Sequence, residues 1–181
     1  MNPVAEQLDL LLKLVPNAKT IGTIYCSSEV NSQLQVELLK KAAAAKGITV
    51  KEATVSTVND IQQAARSLAG DVQAVYVPTD NVLASAIPTF ISVTEEAKLP
   101  VICAEGGMVR AGGLATLGVD YYKLGFQTGV MAADILSGKA KPADMAIQAQ
   151  KEFKPTINLK EAAKIGLKVP EDLLKGAEVI K

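Results

Sequence analysis

A three-layer α/β domain, built on a five-stranded parallel sheet of order 2-1-3-4-5 between helices, is the fold this sequence predicts. Three observations predict it. Five short apolar runs, at residues 21–25, 48–55, 74–77, 101–104 and 114–119, alternate with helical patterns. Gly47, Gly70, Pro100 and Gly138 punctuate the junctions. Polar residues gather at the C-terminal ends of the runs, as Ser27-Ser28-Glu29, Thr79-Asp80-Asn81, Glu105-Gly106-Gly107 and Asp120-Tyr121. Open parallel sheets bind ligands outside the carboxyl ends of their strands. One edge of the domain therefore collects hydroxyls, amides and carboxylates.

Each element has a local reason. Residues 3–14 form a helical pattern in which Leu8, Leu11, Leu12 and Val15 share a face, and Pro16-Asn17 stops it. The first strand ends at Ser27-Ser28, which are cap candidates for a helix over 30–46, closed by Gly47. Strand two covers 48–55, and Thr57-Val58-Asn59-Asp60 opens a helix reaching Leu68. After strand three, residues 81–97 are helical, with Pro88 forcing a kink or a restart. Strand four is followed by a short helical turn over 108–111, closed by Gly112-Gly113. Strand five leads into a helix over 121–137. After Pro142 the βα rhythm stops, so residues 1–142 read as one ligand-binding unit and 143–181 as an appendage that either packs on it or belongs to something missing.

Composition narrows the function. Hydrophobic residues make up 49% of the 181, aromatics only 4%, and Trp is absent, so the core is aliphatic. Lys+Arg and Asp+Glu are 19 each, for zero net charge and no basic run. That balance argues against nucleic acid or anionic membrane as the main partner. Residues 1–20 show no signal-peptide pattern. Cys26 and Cys103 end strands two positions apart in the expected order, roughly 10 Å, beyond the about 7 Å a disulfide allows. Two free, mostly buried thiols are expected. With no His in the chain, a zinc site and a Ser or Cys nucleophile with an imidazole base are both disfavoured. No catalytic residue is therefore expected, and no cofactor either: neither phosphate-binding glycine motif occurs, which disfavours a nucleotide.

The strand ends remain as the candidate site. Ser28, Asn31 and Ser32 open a helix whose free N–H groups and dipole favour a carboxylate, with a plain N-cap as the competing reading. Asp80, flanked by Thr79 and Asn81, would lie across from Ser28 and could accept an ammonium or cap the next helix. Glu105 and Asp120 supply two more acids from separate strands. A Mg²⁺ enzyme is the chemical alternative, but these acids do not cluster after strand one as such a site requires.

Several segments together resemble a known family. They are Asn17-Ala18-Lys19-Thr20-Ile21-Gly22, Tyr25 with Ser28-Glu29-Val30-Asn31-Ser32, Tyr76-Val77-Pro78-Thr79-Asp80-Asn81, and Gly118-Val119-Asp120-Tyr121-Tyr122-Lys123-Leu124-Gly125. Ile157-Asn158-Leu159, Ala162-Ala163, Gly166-Leu167 and Val169-Pro170 complete the pattern. The chain resembles ABC-transporter substrate-binding proteins of the tryptophan/tyrosine type. That resemblance implies a type 1 periplasmic-binding-protein fold, in which two flavodoxin-like lobes clamp a small ligand, often an aromatic amino acid. It further implies delivery to a membrane permease and an extracytoplasmic, commonly lipoprotein, location.

By the same resemblance, Ser28, Asn31, Ser32 and Asp80 would touch the ligand's carboxylate and ammonium, with Glu105 and Asp120 nearby. Two lobes require about 300 residues, so the chain resembles the second lobe and the C-terminal segment only. Residues 143–181 would then cross to the first lobe. Without it they are expected to dock elsewhere, to exchange between protomers of a homodimer, or to be loosely held. Half a clamp should bind weakly. A stand-alone interaction or regulatory module is the rival reading.

Overall fold

Strand β1 (Thr20–Cys26) is an interior strand of the sheet, in keeping with a β-branched run buried on both faces. In the computed structural model, which describes residues 2–150 and 152–181, β1 pairs in parallel with β2 (Thr49–Val55) from Thr20–Thr49 through Cys26–Val55. On its other side lie β3 (Val75–Val77), β4 (Val101–Cys103) and β5 (Ala115–Gly118), all parallel. The order 2-1-3-4-5 is as the sequence predicts.

Period-two alternation divides the strands' side chains between two cores. Ile21, Tyr76, Ile102 and Ala115 pack with Leu8 and Leu11 of α1 (Val4–Leu14) and Leu39 of α2 (Val30–Ala44). Ile24, Val75, Val77 and Cys103 pack on the opposite side. Their partners are Ile61 and Ala65 of α3 (Ile61–Ala69), Leu83 of α4 (Asn81–Ser85), and Ile87 and Phe90 of α5 (Ile87–Glu96). Met108 of α6 (Gly106–Arg110) joins that second core. The result is the three-layer arrangement expected. Pro88 acts as a restart: α4 ends, Ala86 leaves helical geometry, and Pro88 sits in the first turn of α5, where its missing N–H costs nothing. Cys26 and Cys103 are free and buried.

The C-terminal segment docks on this same lobe. Of the courses expected for residues 143–181, which were to cross to a first lobe or without it to dock elsewhere, exchange or be loosely held, docking is the one seen: residues 154–180 extend the sheet. Strand β6 (Lys154–Asn158) runs antiparallel to β5, matching Ala115 with Ile157 and Gly118 with Lys154. Strand β7 (Glu178–Ile180) then pairs in parallel with β6. Helices α8 (Leu159–Lys164) and α9 (Glu171–Leu174) connect them. The physical reason is twofold. β5 would otherwise expose an unpaired edge, and Ile157, Ala162 and Ile165 are apolar residues that complete the first core.

Helix α7 (Tyr121–Leu136) is the exception to this packing. None of its 16 residues is buried. Tyr121, Tyr122, Phe126, Val130 and Leu136 are exposed on it, as is Ile147 in the stretch that returns to β6.

Candidate functional site

The C-terminal edge of the sheet holds the predicted residues in two separate groups. Strands β1 and β5 are three positions apart, about 14 Å at the usual strand spacing.

The first group joins the ends of β1 and β3. Asp80 is the N-cap of α4, and its Oδ1 accepts from the Leu83 N–H at 2.9 Å. Its Oδ2 accepts from the Cys26 N–H at 2.7 Å and from the Ser32 hydroxyl at 2.8 Å. Only 2% of Asp80 is exposed, and Ser32 is fully buried. Asn31 Nδ2 donates to the Thr79 carbonyl at 2.7 Å. The Thr79 N–H donates to Gln35 Oε1 at 3.2 Å, and its hydroxyl accepts from Asn2 Nδ2. Glu29 takes the N–H of Asn81 at 2.8 Å, the Asn81 side-chain amide at 3.1 Å and the N–H of Val82 at 3.3 Å.

The loops after β1 and β3 therefore meet as the strand order requires, but they meet each other. Asp80, Ser32, Asn31 and Asn81 are committed to protein partners. Ser27 and Ser28 do not cap α2, whose N-cap position is Glu29 with no side-chain bond. Ser28 is exposed, with its Oγ 3.2 Å from Cys26 Sγ.

The second group lies over β4, β5 and the added strands. Glu105 caps α6, accepting from the N–H groups of Gly107 and Met108 at 2.7 Å each. Asp120 caps α7, accepting from Tyr122 N–H at 3.0 Å and Lys123 N–H at 3.1 Å. Between them is a cavity of about 290 Å³, lined by Glu105, Arg110, Thr116, Gly118, Asp120 and Glu178 among others. Arg110 Nη2 donates to Glu178 Oε1 at 3.0 Å, and Lys154 Nζ lies 3.7 Å from Glu178 Oε2. Tyr121 stands at the rim, where partial burial and the Glu105 carboxylate push its phenol above the usual range. Among the described residues, no group of three His, Cys, Asp or Glu is placed to hold a metal ion.

The structure thus brings Ser28, Asn31, Ser32, Thr79, Asp80 and Asn81 together, and places Glu105 and Asp120 around a different opening. Sequence reasoning missed Glu29 as the clasp on Asn81, and missed Arg110, Thr116, Lys154 and Glu178 altogether. The last two come from the strands that it did not join to the sheet. Thr116 had only a weak signal, as a polar residue alternating within an apolar run.

Comparison with known proteins agrees with this fold. The family described as ABC transporter substrate binding protein matches residues 1–181. A Clostridioides difficile protein called tyrosine-binding protein is 42% identical over 137 residues, covering 76% of this chain and 40% of that protein. The crystal structure of an ABC domain in complex with L-Trp from Streptococcus pneumoniae superposes with a TM-score of 0.91 at 39% identity, covering 99% of this chain and 61% of that one. A conserved domain protein from Vibrio cholerae gives 0.93 at 36% identity, with 100% and 61% coverage. The chain thus spans 40% of the length of the first of these relatives and 61% of each of the other two. It belongs to the ABC transporter substrate-binding protein family.

Proposed function

We propose that this chain is one lobe of an amino-acid clamp, with the ligand held against the C-terminal edge of the sheet and an aromatic amino acid favoured. The observation that carries this reading is the 39% identity to a domain crystallised with L-Trp, over nearly all of this chain. The relative called tyrosine-binding protein points to the same ligand class. Hydroxyls, amides and carboxylates, with no imidazole, suit recognition of a zwitterion better than bond breaking. In the longer protein the lobe would work outside the cytoplasm and hand its ligand to a membrane permease. No helix among the described residues is long and apolar enough to cross a membrane.

An amide ¹H–¹⁵N titration with L-tryptophan, L-tyrosine, L-phenylalanine and L-leucine into the low millimolar range tests this. Saturable shifts at the strand ends are expected, stronger for aromatic ligands. Absence of any saturable shift would defeat the reading for this chain.

Self-association is the second reading, and one observation favours it. Helix α7 leaves Tyr122, Phe126 and Val130 uncovered, an apolar face of the kind that marks interaction surfaces. Sedimentation velocity of the wild type against Phe126→Lys measures it directly. A dimer lost in the variant supports this reading, and a monomeric wild type removes it.

A further inference from the structure

The buried face of α1 consists of Val4, Leu8, Leu10, Leu11 and Leu14, which are apolar, and Gln7, which is not. Nothing of Gln7 is exposed. An amide in an apolar face is costly unless its hydrogen bonds are made, so its partners say why it is there. Gln7 Nε2 donates to the Ala104 carbonyl at 3.1 Å and to the Leu117 carbonyl at 2.8 Å. Gln7 Oε1 accepts from the Tyr76 hydroxyl at 2.8 Å. Both amide hydrogens and the amide oxygen are thus engaged. The Tyr76 bond also fixes which way the amide faces, since the reversed amide would set its oxygen against two carbonyls.

The two carbonyls belong to neighbouring strands. Among the described residues, β4 and β5 share one ladder pair, Ile102 with Ala115. Two residues further along each chain, that register sets Ala104 beside Leu117. Gln7 stands where the ladder would continue, and a single nitrogen bridges the two carbonyls there. Beyond this bridge the chain forms two walls of the cavity of about 290 Å³, Glu105 to Gly107 on one side and Gly118 to Tyr122 on the other. Gln7 does not line that cavity, but it is bonded at the root of both walls. Ahead of α1, Asn2 Nδ2 donates to Gln35 Oε1 at 3.0 Å and to the Thr79 hydroxyl. One helix is therefore tied to the closed β1–β3 clasp and to the open β4–β5 end.

We propose that Gln7 is a positioning residue for ligand binding, its amide a spacer between the ends of β4 and β5 that holds the two cavity walls at a fixed separation. The role rests on the amino-acid reading above. Walls set before the ligand arrives spare the cost of ordering them on binding. A side chain without the two donors leaves the Ala104 and Leu117 carbonyls to find other partners, and the walls shift.

The test compares two variants of this chain that each lose buried hydrogen bonds. Gln7→Met keeps the side-chain length and removes both donors. Tyr76→Phe unpairs Gln7 Oε1 and leaves the bridge between the carbonyls in place. Both should lower Tm. Gln7→Met alone should move the ligand-free amide signals of Gly106, Gly107 and Gly118, and should weaken L-tyrosine binding about fivefold or more, the scale of one to two hydrogen bonds. Tyr76→Phe should leave those signals in place and L-tyrosine affinity within about twofold of wild type, less than the loss of one hydrogen bond. Should Gln7→Met fail to melt cooperatively, Gln7→Glu, which keeps one donor when protonated, takes its place with the same signals expected to move. Unchanged signals and affinity in the Gln7 variant, or equal losses of affinity in it and in Tyr76→Phe, would overturn the positioning role and leave the amino-acid reading standing. No binding of L-tyrosine or the other three amino acids to wild type would overturn both.

Discussion

The two ends of the sheet's C-terminal edge carry similar residues and treat them differently. At the β1–β3 end, Asp80, Ser32, Asn31 and Glu29 spend their hydrogen-bonding capacity on neighbouring backbone, and the two loops are clasped shut. At the β4–β5 end, Glu105 and Asp120 each cap a helix but border an open cavity, and Thr116 of its lining keeps a buried hydroxyl without a partner. A polar residue at a strand end is thus a component of the scaffold in one place and a candidate contact in another. What separates them is whether a second loop comes close enough to satisfy it. The β1 and β3 strands are direct neighbours whose following loops converge. β4 and β5 are neighbours too, but Glu105 and Asp120 each turn back to the first N–H groups of the helix after their own strand and do not reach across to the other loop.

If that contrast is right, Asp80→Ala should be the most damaging of the changes considered. It strands the buried Cys26 and Leu83 N–H groups, at a cost of about 3–5 kcal/mol, while the Ser32 hydroxyl keeps the Thr79 carbonyl at 3.0 Å. Urea denaturation measures it, and a loss below about 1 kcal/mol would show the clasp to be dispensable.

Next in size is a pH effect where the added strands are anchored. Glu161 of α8 is 2% exposed. Burial, then hydrogen bonding and repulsion with Glu95 of α5, push its carboxyl up to about 7 from an ordinary 4.5. Lys164, 2.6 Å from Glu95, holds the Glu95 carboxyl low. An acid with a raised folded-state pKa keeps its proton longer in the native state. Its contribution to stability is therefore greatest below about pH 4.5 and is lost as pH rises to about 7. Glu95, shifted the other way, contributes above its ordinary range and loses that contribution as pH falls. Glu161→Gln should flatten the decline between these values. Equal slopes in thermal melts of wild type and variant across that window would remove Glu161 as its source.

Ser32→Ala should cost about 1–2 kcal/mol, since it removes one donor to Asp80 while the backbone donors remain. Urea denaturation of the variant measures that loss, and a cost as large as that of Asp80→Ala would mean that the hydroxyl, not the backbone donors, holds the carboxylate in place. The smallest change in stability belongs to Thr116→Val. Replacing an unpaired buried hydroxyl with a methyl group should leave stability equal or raise it by up to about 1 kcal/mol. A marked loss would mean that Thr116 has a structural partner after all, and would make the two ends of the edge alike.

Most of the fold was legible in local pattern. The runs that became β1 to β5 announced themselves by β-branched residues between glycine and proline breaks, and the restart at Pro88 followed from its missing N–H. β6 and β7 were not legible as part of this sheet, because a short strand's sequence does not say which edge it will pair with. Ile157 and Ile180 carry no mark of β5 or β6 as partners. The eight candidate residues were correctly read as lying along one edge, since strand polarity alone places them there.

Sequence by itself determined the alternation of strands and helices, the aliphatic two-faced core, the gathering of polar groups at one edge, and a family resemblance that the comparisons uphold. Each of these rests on residue type and spacing, which are local. Tertiary structure decided which of the edge residues are spent on the protein itself and which face an opening. Satisfaction of a hydrogen bond depends on the approach of groups far apart in the chain. Asp80 meets Cys26 across 54 residues, and Arg110 meets Glu178 across 68.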